Sequence, residues 1–311
     1  MNKLCLGSGL ISLDILIKDI ESNRPISYYV GGTCGNVMMI LSHMGWSSYP
    51  IARLDDSKQT IRLLADMDKH NVKKDYISTG LGKTPVIIQH NIIDKDGNPT
   101  HKFEFKDSNG RFYLSFSPIT KRQAQNVLET LSHIPNVFFF DRVSPANIMM
   151  AKWMREKGVL VFFEPSCKIS TTGFWDCAEN SDIIKFSNQR IEDVLSFERF
   201  TDKLIIQTCG ANGLQYRLRD STWKRLKSIK TNQVLDTSGA GDWTSATFIN
   251  RLFERTENFS LAEIDSLSVD RYLKSAQLVA SLSCGYDGAR GMMALPWKEI
   301  VSLCERYVTD M

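Results

Sequence analysis

Four short runs of the chain are almost wholly apolar: Val137–Phe140, Val159–Phe163, Ile183–Phe186 apart from Lys185, and Leu204–Gln207 up to its last residue. Runs of this length flanked by polar turns read as strands buried on both faces, as in a parallel sheet between helix layers. Between and around them, apolar positions recur at helical spacing over 120–131 and 145–157. Three more helical patterns close the chain near 240–255, 268–284 and 296–307. Earlier, residues 3–17 read as a strand pair and Tyr28–Val30 as a short strand. Val37, Met38, Leu41 and Met44 mark the buried face of a helix that Asn36 opens and Gly45 ends. Ser48–Leu54 is a strand and Thr60–Lys69 a helix. Two strand patterns, Pro85–Ile93 and His101–Phe105, flank the turn Asp94–Pro99 and break the strand–helix alternation. Residues 214–229 read as an antiparallel hairpin at the sheet edge. The pattern predicts one α/β domain over 1–311, with a mostly parallel central sheet between helices.

Composition narrows the function without naming it. At 311 residues a single α/β domain is routine, and the net charge of +3 is mild. No basic run of the kind that tracks nucleic acid is present, so no nucleic-acid partner is expected. Seven cysteines, scattered without a C-x-x-C pair, read as reduced thiols. The first residues run straight into a strand pattern, and no apolar run approaches the roughly 20 residues that span a bilayer. The expectation is a cytoplasmic protein with no membrane partner.

The chemistry concentrates at Asp236-Thr237-Ser238-Gly239-Ala240-Gly241-Asp242, between apolar Val234-Leu235 and a helical pattern carrying Phe248, Ile249, Leu252 and Phe253. Strand, Gly-rich turn, helix is an arrangement whose unpaired backbone N–H groups and positive dipole end attract an anion. Asp242 in the same turn would repel that anion unless it has chemical work there. A proton-accepting carboxylate beside a donor-lined phosphate pocket points to phosphoryl transfer onto a hydroxyl. The competing reading is a capped helix with a first-turn acid. A second glycine-rich stretch, Gly31-Gly32-Thr33-Cys34-Gly35-Asn36, lies far upstream and precedes an apolar helix. Gly7-Ser8-Gly9 is not a dinucleotide fingerprint, because Ser12 stands where the third glycine belongs. Gly82-Lys83-Thr84 is not a Walker A end, because Ile77 replaces the required glycine. Neither His-Glu-x-x-His nor Gly-x-Ser-x-Gly occurs.

The two glycine-rich stretches, in this order and at this separation, resemble the signatures of the PfkB family of ribokinase-like sugar and nucleoside kinases. Gly31-Gly32-x-x-x-Asn36 resembles the family's N-terminal signature, and Asp236-Thr237-x-Gly239-Ala240-Gly241-Asp242 its C-terminal one. Trp243 departs from the small residue usual there. The resemblance implies a ribokinase-like three-layer α/β/α sandwich with a small β-sheet lid, drawn from about 15–30 and 83–113. It implies an ATP- and Mg2+-dependent kinase acting on a hydroxymethyl of a sugar or sugar-like molecule. Asp242 would be the base, and Gly239, Ala240 and Gly241 the anion hole. The helix N-terminus is expected to lower the pKa of Asp242. Asp14, Gly31, Gly32 and Asn36 would bind the substrate. Thr208, Gly210 and Gly213 resemble the family's nucleotide turn, and Ser187 or Asn188 would stand for its phosphate-side Asn. Ala276, Ala280 and Gly288 would wall the adenine. Asp236 with the loop 284–291 resembles the region where many relatives hold K+. The lid would fold over the substrate and pair with a second copy in a homodimer; Phe103, Phe105, Phe112 and Tyr113 would pack that lid or a partner's, or, for most of them, the core. A nucleoside kinase of the same fold, or an inactive sugar-binding sensor, would carry many of the same features.

Overall fold

The computed structural model describes residues 3–18, 27–93, 99–104, 115–231, 234–256 and 259–309. Thirteen strands and eight α-helices are laid out among them. In chain order they begin with β1 (Leu4–Ser8), β2 (Ser12–Lys18), β3 (Ser27–Gly31), α1 (Thr33–His43), β4 (Ser47–Arg53), α2 (Lys58–Lys69), β5 (Ile77–Ser78), β6 (Val86–Ile93) and β7 (Pro99–Glu104). They continue with α3 (Lys121–Thr130), β8 (Val137–Phe140), α4 (Pro145–Glu156), β9 (Leu160–Phe163), α5 (Phe174–Glu179), β10 (Ile183–Ser187), β11 (Leu204–Thr208), β12 (Leu214–Leu218) and β13 (Lys224–Leu226). The last three are α6 (Ala240–Leu252), α7 (Ser266–Ser283) and α8 (Trp297–Thr309). Several helices begin where a side chain satisfies an orphan N–H. Ser57, Ser144 and Asp265 each cap one, and Thr120 with Gln123 forms a full capping box.

Nine strands form the main sheet in the order β13-β12-β11-β10-β9-β8-β1-β4-β5. All its pairs are parallel except those made by the edge hairpin β12–β13. Alternate residues of the apolar strands serve opposite faces. Phe139, Phe162, Ile183 and Ile206 pack into one core with α1, α6 and α7, whereas Phe138, Phe140, Phe163 and Ile184 pack into the other with α3, α4 and α5. Phe140 stacks on Phe163 at 4.6 Å between ring centroids. Each such fully buried Phe contributes roughly 1.5–3 kcal/mol. The chain leaves β1 towards β4 and β5, then returns beside β1 with β8 and proceeds the other way. The order reverses between β1 and β8, and a crevice opens beyond the carboxyl ends of strands at such a reversal.

The second sheet, β3-β2-β6-β7, is the lid. It begins at Ser12, earlier than the expected residue 15, so Asp14 stands on a lid strand. Strands β2 and β6 pair in parallel, and β3 and β7 flank them antiparallel. Expected lid positions 19–26, 94–98 and 105–113, including Phe105, Phe112 and Tyr113, lie outside the described residues. Phe103 is exposed. Helix α1 begins three residues before Asn36, with Gly32 as its N-cap, so Asn36 is a first-turn residue and no cap. The two-residue β5 and the six-residue α5 were not expected; both are too short to show a period.

Candidate functional site

Gly239 caps α6 with φ +74°, a left-handed conformation that glycine adopts without strain. A Cβ there would come within 2.6 Å of the Ala289 Cβ, so the turn packs directly on the 284–291 loop. Trp243 completes that contact: its ring is fully buried and its Nε1 donates to the Ala289 carbonyl at 2.9 Å. The Trp at this position therefore fastens the turn to its neighbour. The Ala240 N–H donates to Thr237 O at 3.3 Å, whereas the N–H groups of Gly239, Gly241 and Asp242 meet no acceptor among the described residues. The open donors thus differ by one from those expected, with Asp242 in place of Ala240.

Asp242 is buried at the third helical position. Asn36 Nδ2 donates to its Oδ2 at 2.7 Å, joining the two glycine-rich stretches across the fold. The Asn36 Oδ1 is buried and has no partner among the described residues. Beneath the turn, Lys185 Nζ pairs with Glu164 Oε1 at 2.5 Å, and Ser245 Oγ donates to Glu164 Oε2. A Cβ on Gly241 would lie 3.7 Å from Lys185 Nζ and 3.8 Å from Glu164 Oε1. Desolvation, then the nearby Glu164 charge, pushes the Asp242 carboxyl well above the ordinary range, with Asn36 and Lys185 opposing. The expected lowering by the helix end is overturned: burial and a like charge outweigh a partial dipole charge.

Next to this lie the expected substrate residues. Asp14 sits over Gly31, where a Cβ would come within 1.9 Å of its carboxyl. Ser12 Oγ donates to Asp14 Oδ1 at 2.7 Å. Desolvation raises the Asp14 carboxyl to about 6, against the hydrogen bond from Ser12 and the charge of Arg290. Gly32, at φ +76°, presses on the Leu10 carbonyl, and Gly32 O accepts from Asn36 N at 2.8 Å. In the crevice between β1 and β8, Asp141 Oδ1 accepts from Leu10 N at 2.9 Å, and its Oδ2 pairs with Arg142 at 2.9 Å. Gly9 leaves room for it, since a Cβ there would overlap Asp141 Oδ1.

The expected nucleotide residues gather at the ends of β10 and β11. Ser187 and Thr208 are register partners, and Asn188 N donates to Thr208 O at 2.9 Å. Gly210 and Gly213 both have positive φ, and Gly213 abuts the Leu226 carbonyl. Beside them a cavity of about 460 Å3 is lined by Asn188, Gln207, Cys209, Asn212, Gln215 and Arg225 among others. Ala276 has no exposed surface and Ala280 very little; both pack α7 into the core. Gly288 lies against the anion turn, donating its N–H to Asp236 Oδ2 at 2.9 Å. Asp236 also accepts from Ser238 N on Oδ1 at 2.8 Å and from the lid residue Gln89 on Oδ2 at 2.7 Å.

Sequence reasoning passed over Glu164, Lys185, Asp141 and Gln89. One signal was legible: Lys185 interrupts an otherwise apolar strand, which a buried cation must justify with a partner. No cluster of three His, Cys, Asp or Glu able to hold a metal occurs among the described residues. Mg2+ fits this chain as an ion carried by nucleotide phosphates and waters, its usual mode. No described helix is long and apolar enough to cross a membrane.

The sequence profile of the pfkB family carbohydrate kinases matches residues 5–296. A curated relative, 5-dehydro-2-deoxygluconokinase 2 of Bacillus cereus, is 22% identical over 276 residues, covering 77% of this chain and 78% of its own. Among solved structures, fructokinase with bound ATP from Xylella fastidiosa superposes with a TM-score of 0.74 at 16% identity, covering 98% of each chain. The nucleoside kinase of Burkholderia thailandensis in complex with inosine gives 0.67 at 15% identity, covering 97% of this chain and 96% of its own. At these identities the structures attest the shared fold.

Proposed function

Because the chain belongs to the pfkB family of carbohydrate kinases and is thereby a phosphotransferase with an alcohol acceptor, we propose that it moves the γ-phosphoryl group of ATP onto a hydroxymethyl of a sugar or sugar-like substrate. The observation that carries this reading is the buried pairing of Asn36 with Asp242 beside open backbone donors. Asp242 accepts the hydroxyl proton. Its raised pKa makes it a better base than an ordinary carboxylate, and Lys185 keeps an opposing charge within reach. The open N–H groups of Gly239, Gly241 and Asp242 hold the charge on the transferred group. Asp14, with Gly31, Gly32 and Asn36, orients the acceptor. The unpartnered Asn36 Oδ1 supports that role, because it waits for a donor such as a sugar hydroxyl.

ATP sits beyond β10 and β11, at Ser187, Asn188, Thr208, Gly210 and Gly213, with Gly288 and Ala280 towards the base. Mg2+ arrives with its phosphates. When bound, it neutralises charge on the phosphoryl oxygens. Ala276, buried in the core, would back the adenine wall from behind. A sugar is favoured over a nucleoside because the described lid tyrosines are already engaged. Tyr28 lies under Arg62 at 4.2 Å, and Tyr29 faces Arg290 at 5.5 Å. The lid sheet, with Tyr29, Ile92 and Phe103 exposed on strands β3, β6 and β7, suits a homodimer.

The test is ADP release from MgATP across a panel of hexoses, pentoses, keto-deoxy sugar acids and nucleosides. The curated relative's activity puts 5-dehydro-2-deoxygluconate among the first acceptors to try. Turnover on a sugar or sugar acid is expected. Turnover on nucleosides alone would move the acceptor class, and release with none of them would leave a sugar-binding sensor.

A further inference from the structure

The family resemblance places a monovalent cation beside Asp236 and the 284–291 loop, but three N–H donors reach Asp236 there. Ser238 N reaches Oδ1, while Gly288 N and Gln89 Nε2 converge on Oδ2. Alkali cations are held by oxygen lone pairs, and here three N–H groups already draw on those of the one carboxylate. Gln89 is the unusual member. It stands on lid strand β6, far from Asp236 in sequence, and only 5% of its surface is exposed. Burying a Gln there is costly unless its amide is bonded, so its placement is specific. Desolvation of Asp236 is outweighed by these donors, which hold its carboxyl below the ordinary range. An ionised carboxylate only accepts, which fixes the NH2 end of Gln89 as the one that faces it.

The neighbouring 284–291 loop is joined to the lid as well. Arg290 Nε donates to Val30 O of β3 at 2.8 Å, and its Nη2 pairs with Asp66, which in turn accepts from Val30 N. Lid strand β6 is thus bonded to the segment that carries the anion turn, and β3 to the loop packed against that turn.

We propose that Gln89 is a positioning residue that takes the place of a monovalent cation at Asp236, leaving the anion turn independent of potassium and tying its shape to lid strand β6. The amide donates a partial positive charge where a cation would sit. It also makes the position of the lid a determinant of where the Gly239–Asp242 donors point.

The direct test is thermal unfolding of the full-length protein in KCl, NaCl and tetramethylammonium chloride at equal ionic strength. This needs no substrate, so its outcome is separate from that of the phosphoryl-transfer reading. The parent should unfold at the same midpoint in all three salts. Gln89→Glu sets a second carboxylate against Asp236 and builds an oxygen-lined anionic pair. It should lose stability in tetramethylammonium and regain a few degrees in KCl. A potassium-specific rise in the parent would overturn the proposal, and so would a Gln89→Glu protein blind to the cation. If Gln89→Glu does not fold, Gln89→Met removes the donor at similar volume. Amide exchange should then speed up at 236–242 and in β6 together. Unchanged exchange at the turn would also overturn the proposal.

Discussion

Replacing Asp242 by Asn removes one buried negative charge and nearly preserves the side chain's shape. In the parent the folded-state pKa is raised, first by desolvation and then by Glu164. The folded protein therefore binds that proton more tightly than the unfolded chain. The resulting stabilisation is present below the ordinary carboxylate range and is lost as pH rises through the folded value. Near neutrality Asp242→Asn should raise the unfolding midpoint by a few degrees, as expected where a site trades stability for chemistry. A lowered midpoint in differential scanning calorimetry would contradict this. Asp14 follows the same sign for stability, with its window ending near its raised value of about 6. Its effect on function runs the other way, because the ionised carboxylate is what accepts substrate hydroxyl bonds. kcat/KM should fall about tenfold per unit as pH drops below that value, and Asp14→Asn should flatten this limb. Asp14, Asn36 and Asp242 were all singled out in the sequence, and the structure brings Asn36 against Asp242. The direction of the Asp242 shift was not legible, because it depends first on burial and then on Glu164, which tertiary folding brings near.

At the scale of elements, the turn into α6 separates shape from function at one residue. Gly241 has ordinary helical space around it: an added Cβ meets only Lys185 and Glu164, at van der Waals distance. Gly241→Ala should fold well, and stabilise α6 by up to about 1 kcal/mol. The methyl group would nonetheless stand over the Lys185–Glu164 pair, on the proposed approach of the phosphoryl group. Turnover should drop by about 10²-fold, the effect of a misplacement on the order of 1 Å. A stable Gly241→Ala protein with parental turnover would remove the turn from the anion site. The turn and helix around Gly239 were legible because glycine, an acid and an apolar period each have a local meaning, whereas the strand expected at Val234-Leu235 does not form: β13 ends at Leu226 and both residues lie exposed in the loop before the turn. The lid was legible only as a hairpin. That β2 joins it through a parallel pairing with β6 depends on contacts between distant segments, such as Leu13 with Val86.

Over the whole molecule, almost wholly apolar strands announced the parallel sheet. They did so because strands covered on both faces have no solvent side to mark with polar residues. The order of those strands, and with it the crevice between β1 and β8, was not readable from them. A homodimer through the lid should appear as a concentration-dependent sedimentation coefficient that Phe103→Lys and Ile92→Lys abolish; a monomer at every concentration would remove it. The central claim is that Asp242 takes the proton during phosphoryl transfer, and its most direct test is turnover of Asp242→Asn on the best acceptor found. Asn keeps the shape and a hydrogen bond to the hydroxyl but cannot accept the proton. Acceptor and MgATP binding, read by calorimetry, should persist while kcat falls by roughly 10²–10⁴-fold. Turnover within about threefold of the parent, a change of less than 1 kcal/mol in the barrier, would contradict the account.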